Sequence, residues 1–139
     1  MRFLDANVFI YAYYRPGRRL SDEERKLKEA AKGILRRINE GERVITTVVH
    51  LSEVANILKR GLKPGELAEL LIGLLMRDNI EVEDVDRELY LLALELSQEL
   101  ELDPNDALAI EVMRRRGIRE IYTFDKDFDK IGEIIRVVS

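Results

Sequence analysis

The sequence predicts a three-layer α/β domain with a mainly parallel sheet. Two observations carry that expectation. Short apolar runs rich in β-branched residues alternate with amphipathic segments of helical period, and no repeat, low-complexity tract or linker interrupts the alternation. At 139 residues the chain is of a size to gather one core, so a single domain over residues 1–139 is expected.

The apolar runs come in order. Arg2-Phe3-Leu4 opens as a buried strand that runs straight into Asp5. Arg43 to Thr46 makes a second, Ile80 to Val82 a third, Glu120 to Tyr122 a fourth and Glu133 to Val138 a fifth. Between them lie the helices. Ser21-Asp22-Glu23-Glu24 has the spacing of a capping box, in which hydroxyl and carboxylate each satisfy an orphan backbone donor. Behind it Leu27, Ala31, Ile34, Leu35 and Ile38 share one helical face, and Gly41 marks the stop. Pro64-Gly65-Glu66 starts a helix with a wide stripe from Leu67 to Leu75, read mainly as core. Leu89, Leu92, Ala93, Leu96 and Leu100 mark another. Asp103-Pro104 reads as a cap followed by proline at the first helical position, and Gly117 closes that last helix.

Composition narrows the chemistry. Hydrophobic residues make up 46% of the chain and charged residues 36%, enough of the first to build a core despite the second. There is no cysteine, which excludes disulfides and thiolate metal sites and makes a cytoplasmic location the default expectation. The single histidine, His50, excludes a site needing two from one chain, and it is assigned no role. A net charge of −4 argues against a generic nucleic-acid coat. No apolar run is long enough for a membrane span.

Any metal ligands must therefore be carboxylates, and their positions are informative. Ligands of an open parallel sheet bind beyond the carboxyl ends of its strands. Asp5 follows the first strand, Glu53 lies in the helix after the second, Asp106 lies in the first turn of the helix opened by Asp103-Pro104, and Thr123, Asp125, Asp127 and Asp129 follow the fourth strand. Each has an ordinary structural role open to it, as a helix cap, a solvated surface acid or a turn residue. Gathered at one edge they would repel, and a hard divalent cation such as Mg²⁺ resolves the conflict. Phosphodiester hydrolysis is the chemistry such a site suits.

Four segments together resemble the PIN-domain nuclease family, and within it the VapC-type toxins. They are Phe3-Leu4-Asp5-Ala6-Asn7-Val8-Phe9-Ile10, Thr46 to Val54 with Glu53, Asp103-Pro104-Asn105-Asp106-Ala107-Leu108, and Tyr122-Thr123-Phe124-Asp125-Lys126-Asp127-Phe128. The resemblance implies a PIN-like fold with a five-stranded parallel sheet, and an Mg²⁺- or Mn²⁺-dependent endoribonuclease leaving 5′-phosphate and 3′-hydroxyl ends. It implies Asp5, Glu53, Asp106 and Asp125 as catalytic acids, with Asp5, Asp106, Asp125 and Asp127 near the metal. Thr123 would orient a carboxylate, and Asn7 would brace the first motif. The implied partners are an RNA substrate, a cognate antitoxin protein and a second copy of the chain. The segment from Tyr13 to Glu29, with its basic loop at Arg15-Pro16-Gly17-Arg18-Arg19, departs from the family pattern.

Rival readings want other residues. A phosphoacceptor domain would have an adjacent acidic pair after an early strand and a lysine after the last one, and an Asp-nucleophile hydrolase a second Asp where Asn7 stands. A PIN-like module that only holds a partner, or an RNA-processing factor without a toxin role, is the alternative that the leucine stripes keep open.

Overall fold

Five short strands assemble around three central ones that bury successive side chains on both faces of the sheet. In a computed structural model describing residues 1–139 they are β1 (Arg2–Leu4), β2 (Val44–Thr47), β3 (Ile80–Glu83), β4 (Glu120–Tyr122) and β5 (Ile135–Val137). All pairings are parallel and the order is β3-β2-β1-β4-β5. The chain builds outward from β1 on one side, then crosses to place β4 on the other side of β1. The switch point between β1 and β4 is where such a sheet opens a crevice for ligands.

Six helices cover the sheet: α1 (Ala6–Tyr13), α2 (Asp22–Asn39), α3 (Val48–Leu58), α4 (Pro64–Leu75), α5 (Arg87–Leu100) and α6 (Pro104–Arg116). The period-2 pleat sorts the core into two layers. Phe3, Ile45 and Ile121 face α5 and α6, whereas Leu4, Val44 and Tyr122 face α1 to α4. This is the PIN-like α/β fold expected from the sequence. No helix is long and apolar enough to cross a membrane.

The capping signals act as anticipated. Ser21 and Glu24 close a reciprocal capping box on α2, and Asp103 accepts the Asp106 amide at the start of α6. Gly117 ends α6 in the left-handed region at φ 66°, where a side chain would be strained. Three details differ from expectation. The second strand is shifted by one residue, so that Thr46 and Thr47 lie within β2, both fully buried. The fifth strand is trimmed to three residues, because Ile134 bonds back to Ile131 in a turn. The α4 stripe packs on the core only in part: Leu74 is buried and Leu67, Leu70 and Leu71 lie half-buried against it, while Leu75, with the neighbouring Ile72 and Met76, is exposed. Leucines there span a wider arc than one contact face can cover.

Candidate functional site

Asp5 ends β1 and caps α1, its Oδ1 accepting the Ala6 amide at 2.8 Å. The Thr123 hydroxyl, just past the neighbouring β4, donates to Asp5 Oδ2 at 2.7 Å. That hydroxyl oxygen accepts in turn from Asn7 Nδ2 at 3.2 Å and from the Asp125 amide at 3.1 Å. Asn7 Oδ1 accepts the Phe124 amide at 3.3 Å, closing a lattice that ties the end of β1 to the end of β4. Asp125 Oδ1 accepts the Asp127 amide at 2.9 Å and starts a short 3-10 helix over Lys126–Lys130.

Opposite this lattice stands the start of α6. Carboxylate oxygens of Asp106, Asp125 and Asp127 lie within 4.8 Å of one another. Asp106 is buried, Asp125 half-buried and Asp127 exposed, so the group runs from the interior out to solvent. Burial pushes the Asp106 carboxyl up to about 9, helped by the charges of Asp5, Asp103 and Asp125. Burial likewise raises Asp5 to about 6, against the hydrogen bonds from Thr123 and Ala6 and in concert with the charges of Asp125 and Asp103. No lysine or arginine forms an ion pair with any of these acids, and His50 Nε2 lies 3.9 Å from Asp5 Oδ1.

Glu53, the sixth residue of α3, stands at the margin of this group. Asn105 Nδ2 donates to its Oε1 at 2.6 Å, which leaves Oε2 free. The second and third segments singled out in the sequence are thereby joined through adjacent residues of α3 and α6.

Asp5, Glu53, Asp106, Asp125 and Asp127 reach this edge of the sheet, with Asp106, Asp125 and Asp127 clustered, the buried Asp5 close enough for its charge to act on Asp106, and Glu53 beside them. Asp129 does not: it faces away and pairs with Arg136 at 3.0 Å. Three residues were undervalued by the sequence reading. Asp103 is more than a cap, since its charge acts on both Asp5 and Asp106. Asn105 holds Glu53. His50 is fully buried, with Nδ1 2.7 Å from the Thr47 hydroxyl and its ring edge-on to Phe3. Its Nε2 has no hydrogen-bond partner, and burial lowers its pKa to about 4 despite the nearby Glu53 charge. Asp103 and Asn105 had a signal in their place beside Asp106; His50 had none, because its neighbours come from other elements.

The donor set is one of hard oxygens with excess negative charge, and it fits a divalent cation such as Mg²⁺ or Mn²⁺ better than any soft or nitrogen-preferring metal. Without a cation the cluster must keep protons, as the raised pKa values of Asp5 and Asp106 express.

Comparison with known proteins bears on the fold. The model of the PIN domain family matches residues 2–134. A VapC toxin of Mycobacterium tuberculosis, described as cleaving the sarcin-ricin loop, superposes with a TM-score of 0.75 at 25% identity, covering 100% of both chains. A toxin–antitoxin complex from Klebsiella pneumoniae superposes at 0.66 with 15% identity, over 97% of this chain and 96% of that one. A VapBC complex from Rickettsia felis, bound to a fragment of its promoter DNA, superposes at 0.64 with 16% identity, over 98% and 96%. No curated protein sequence matches at a significant level. With its acids at the β1/β4 switch point and the family match running almost end to end, the chain belongs to the PIN-domain family.

Proposed function

We propose that this PIN domain is an endoribonuclease that uses Mg²⁺ or Mn²⁺, and that it is the toxin of a type II toxin–antitoxin pair acting in the cytoplasm. The observation that carries the reading is the group of unneutralised carboxylates: Asp106, Asp125 and Asp127 within 4.8 Å, beside a buried Asp5. As a purely structural feature it would be costly, since like charges in a poorly hydrated site repel.

Asp5, Asp106, Asp125 and Asp127 would hold the cation. When bound, it supplies positive charge that lowers the pKa of water and stabilises the leaving oxygen of a phosphodiester. The chain's own residues do the rest. Thr123 fixes the rotamer of Asp5, and Asn7 holds the Thr123 hydroxyl in place. Glu53 Oε2, left free by the Asn105 contact at Oε1, takes the proton of the attacking water. The Asn105 amide keeps that carboxylate aimed at the cluster while leaving its charge intact.

The antitoxin reading is supported by solved neighbours that are themselves toxin–antitoxin complexes. The exposed Ile72, Leu75 and Met76 at the end of α4 offer an apolar surface for an antitoxin segment or for a second copy of the chain.

The test is cleavage of a mixed RNA pool by purified protein with Mn²⁺, with EDTA, and with an Asp5→Asn variant. The expected outcome is metal-dependent cutting that falls by at least about 100-fold in the variant, since losing a ligand should exceed the usual effect of losing a residue behind one. Cutting that survives EDTA or the substitution would overturn the assignment.

A further inference from the structure

The segment from Tyr13 to Glu29 builds one wall of a cavity beside the acids. The cavity encloses about 440 Å³. Asn7 and Glu53, both part of the proposed centre, line it, so it is continuous with the place where the scissile phosphate would lie. Ile10, Tyr11 and Tyr14 contribute from α1 and its end, and Ile57 from α3. Pro16 and Leu20 close it from the connection to α2. Tyr11 is held edge-on to Phe124, ring centroids 5.6 Å apart, which fixes one aromatic wall next to the Asp125 turn.

The charges around this space are mostly engaged. Glu24 is gripped by the Arg18 guanidinium at 2.8 and 2.9 Å. Lys28 Nζ lies within 3.1, 3.2 and 3.5 Å of the Tyr14, Ala12 and Tyr11 carbonyls, closing the end of α1. Arg60 is different: it lines the cavity, is exposed, and its guanidinium makes no ion pair or hydrogen bond. The space thus offers aromatic and aliphatic walls, one free guanidinium and direct continuity with the phosphate-cleaving centre.

We propose that this cavity receives one nucleotide of the RNA next to the scissile phosphate, with its base between the tyrosine and isoleucine side chains and a flanking phosphate on Arg60, and that it sets which sequence is cut. The inference rests on the ribonuclease reading. Unpaired bases stack on aromatic side chains, and guanidinium groups match phosphate geometry. Size favours a nucleotide over a docked protein helix, because a single helical turn some 10 Å across already fills roughly 400 Å³.

The experiment sequences the ends produced by Mn²⁺-dependent cutting of a randomised RNA library, for the unaltered protein and for Tyr14→Phe, Tyr14→Ala, Ile57→Trp and Arg60→Ala. In parallel, AMP, GMP, CMP and UMP are titrated in EDTA while the methyl resonances of Ile10 and Ile57 are followed. The expected result is a base preference at one position beside the cut. It is retained in Tyr14→Phe and falls roughly tenfold in Tyr14→Ala and Ile57→Trp, in line with the loss of one stacked base. The methyl shifts should be largest for the preferred base, and Arg60→Ala should weaken the titration for all four monophosphates alike. Cutting whose preference is unchanged in Tyr14→Ala and Ile57→Trp would overturn the proposal, as would monophosphates that leave both methyls unmoved. Unchanged preference together with lost antitoxin binding would assign the cavity to the protein partner instead. Absence of cutting in every protein would refute the ribonuclease reading, and the titration in EDTA would still decide whether the cavity takes a nucleotide.

Discussion

At the amino ends of the strands, Arg2 donates to Glu120 at 3.0 Å, to Glu42 at 3.1 Å and to the Tyr122 hydroxyl at 2.7 Å. The Tyr122 hydroxyl in turn donates to Glu42, and the Arg2 guanidinium lies 5.0 Å from the Tyr122 ring centroid. At the carboxyl ends of the same strands, Asp5 and Asp125 face Asp106 and Asp103 with no lysine or arginine among them. One end is a closed account in which each charge has a partner. The other accumulates charge of one sign, and folding alone gives no reason for that. The contrast separates what holds this fold together from what the proposed function needs: the amino edge stabilises, whereas the carboxyl edge gathers like charges that a bound cation would relieve.

Substitutions should act differently at the two ends. Among residues that only position a reacting group, the largest effect is expected for Asn105→Ala, which frees Glu53 at the carboxyl edge. RNA cleavage should fall about 10- to 100-fold, as for other residues that orient a reacting group, with little change in unfolding midpoint. A large loss of stability with proportionate loss of activity would instead make Asn105 a structural residue. At the amino edge, Arg2→Ala should lower stability by about 1–2 kcal/mol in urea unfolding, because it removes three hydrogen bonds, leaves Glu120 unpaired and leaves Glu42 only its Arg37 and Tyr122 partners. Cleavage per folded molecule should be unaffected.

An effect of pH is expected on the metal-free protein. Asp106 titrates near 9 in the folded state, above its ordinary carboxylate value, so the folded protein holds a proton that the unfolded chain has released. Stability from this group is full below the ordinary carboxylate pKa and is lost as pH rises towards 9. Asp5, raised to about 6, adds a loss that is complete just above that pH. His50, lowered to about 4, acts oppositely: its contribution is present above 6.5 and is lost as pH falls through 6.5 towards 4. The two largely offset each other below pH 6.5, which leaves Asp106 exposed above it. Metal-free stability should therefore fall by on the order of 3 kcal/mol between pH 6.5 and 9. Saturating Mn²⁺ should flatten that slope; a metal-free protein equally stable across the window would remove the strained edge from the account.

Much of this was legible in the chain. Asp5 and Thr123 stand at strand ends that periodicity alone locates, and Asp103-Pro104 marks the start of α6 and hence the place of Asp106. What the sequence hid depends on contacts between elements. His50 reads as one residue on an apolar helix face, and nothing local shows that its Nε2 points at Asp5. The Asn105 contact with Glu53 spans 52 residues, so no spacing rule reaches it. For α4 the leucine pattern specifies a helix and its core-facing stripe but not where cover ends, and Leu75 with the neighbouring Ile72 lies open. The connection from α1 to α2 carries no periodic signal, yet its Pro16 and Leu20 shape the cavity beside the acids.

The most direct test of the strained carboxyl edge is the unfolding midpoint of the protein and of Asp106→Asn at pH 8, each in EDTA and in Mn²⁺. The amide keeps the shape of Asp106 and removes the charge that the fold must neutralise. In EDTA the variant should melt a few degrees above the unaltered protein. Mn²⁺ should raise the midpoint of the unaltered protein and leave the variant nearly unmoved. A variant that melts lower in EDTA, or that gains from Mn²⁺ as much as the unaltered protein does, would contradict the claim that these carboxylates are gathered to hold a metal.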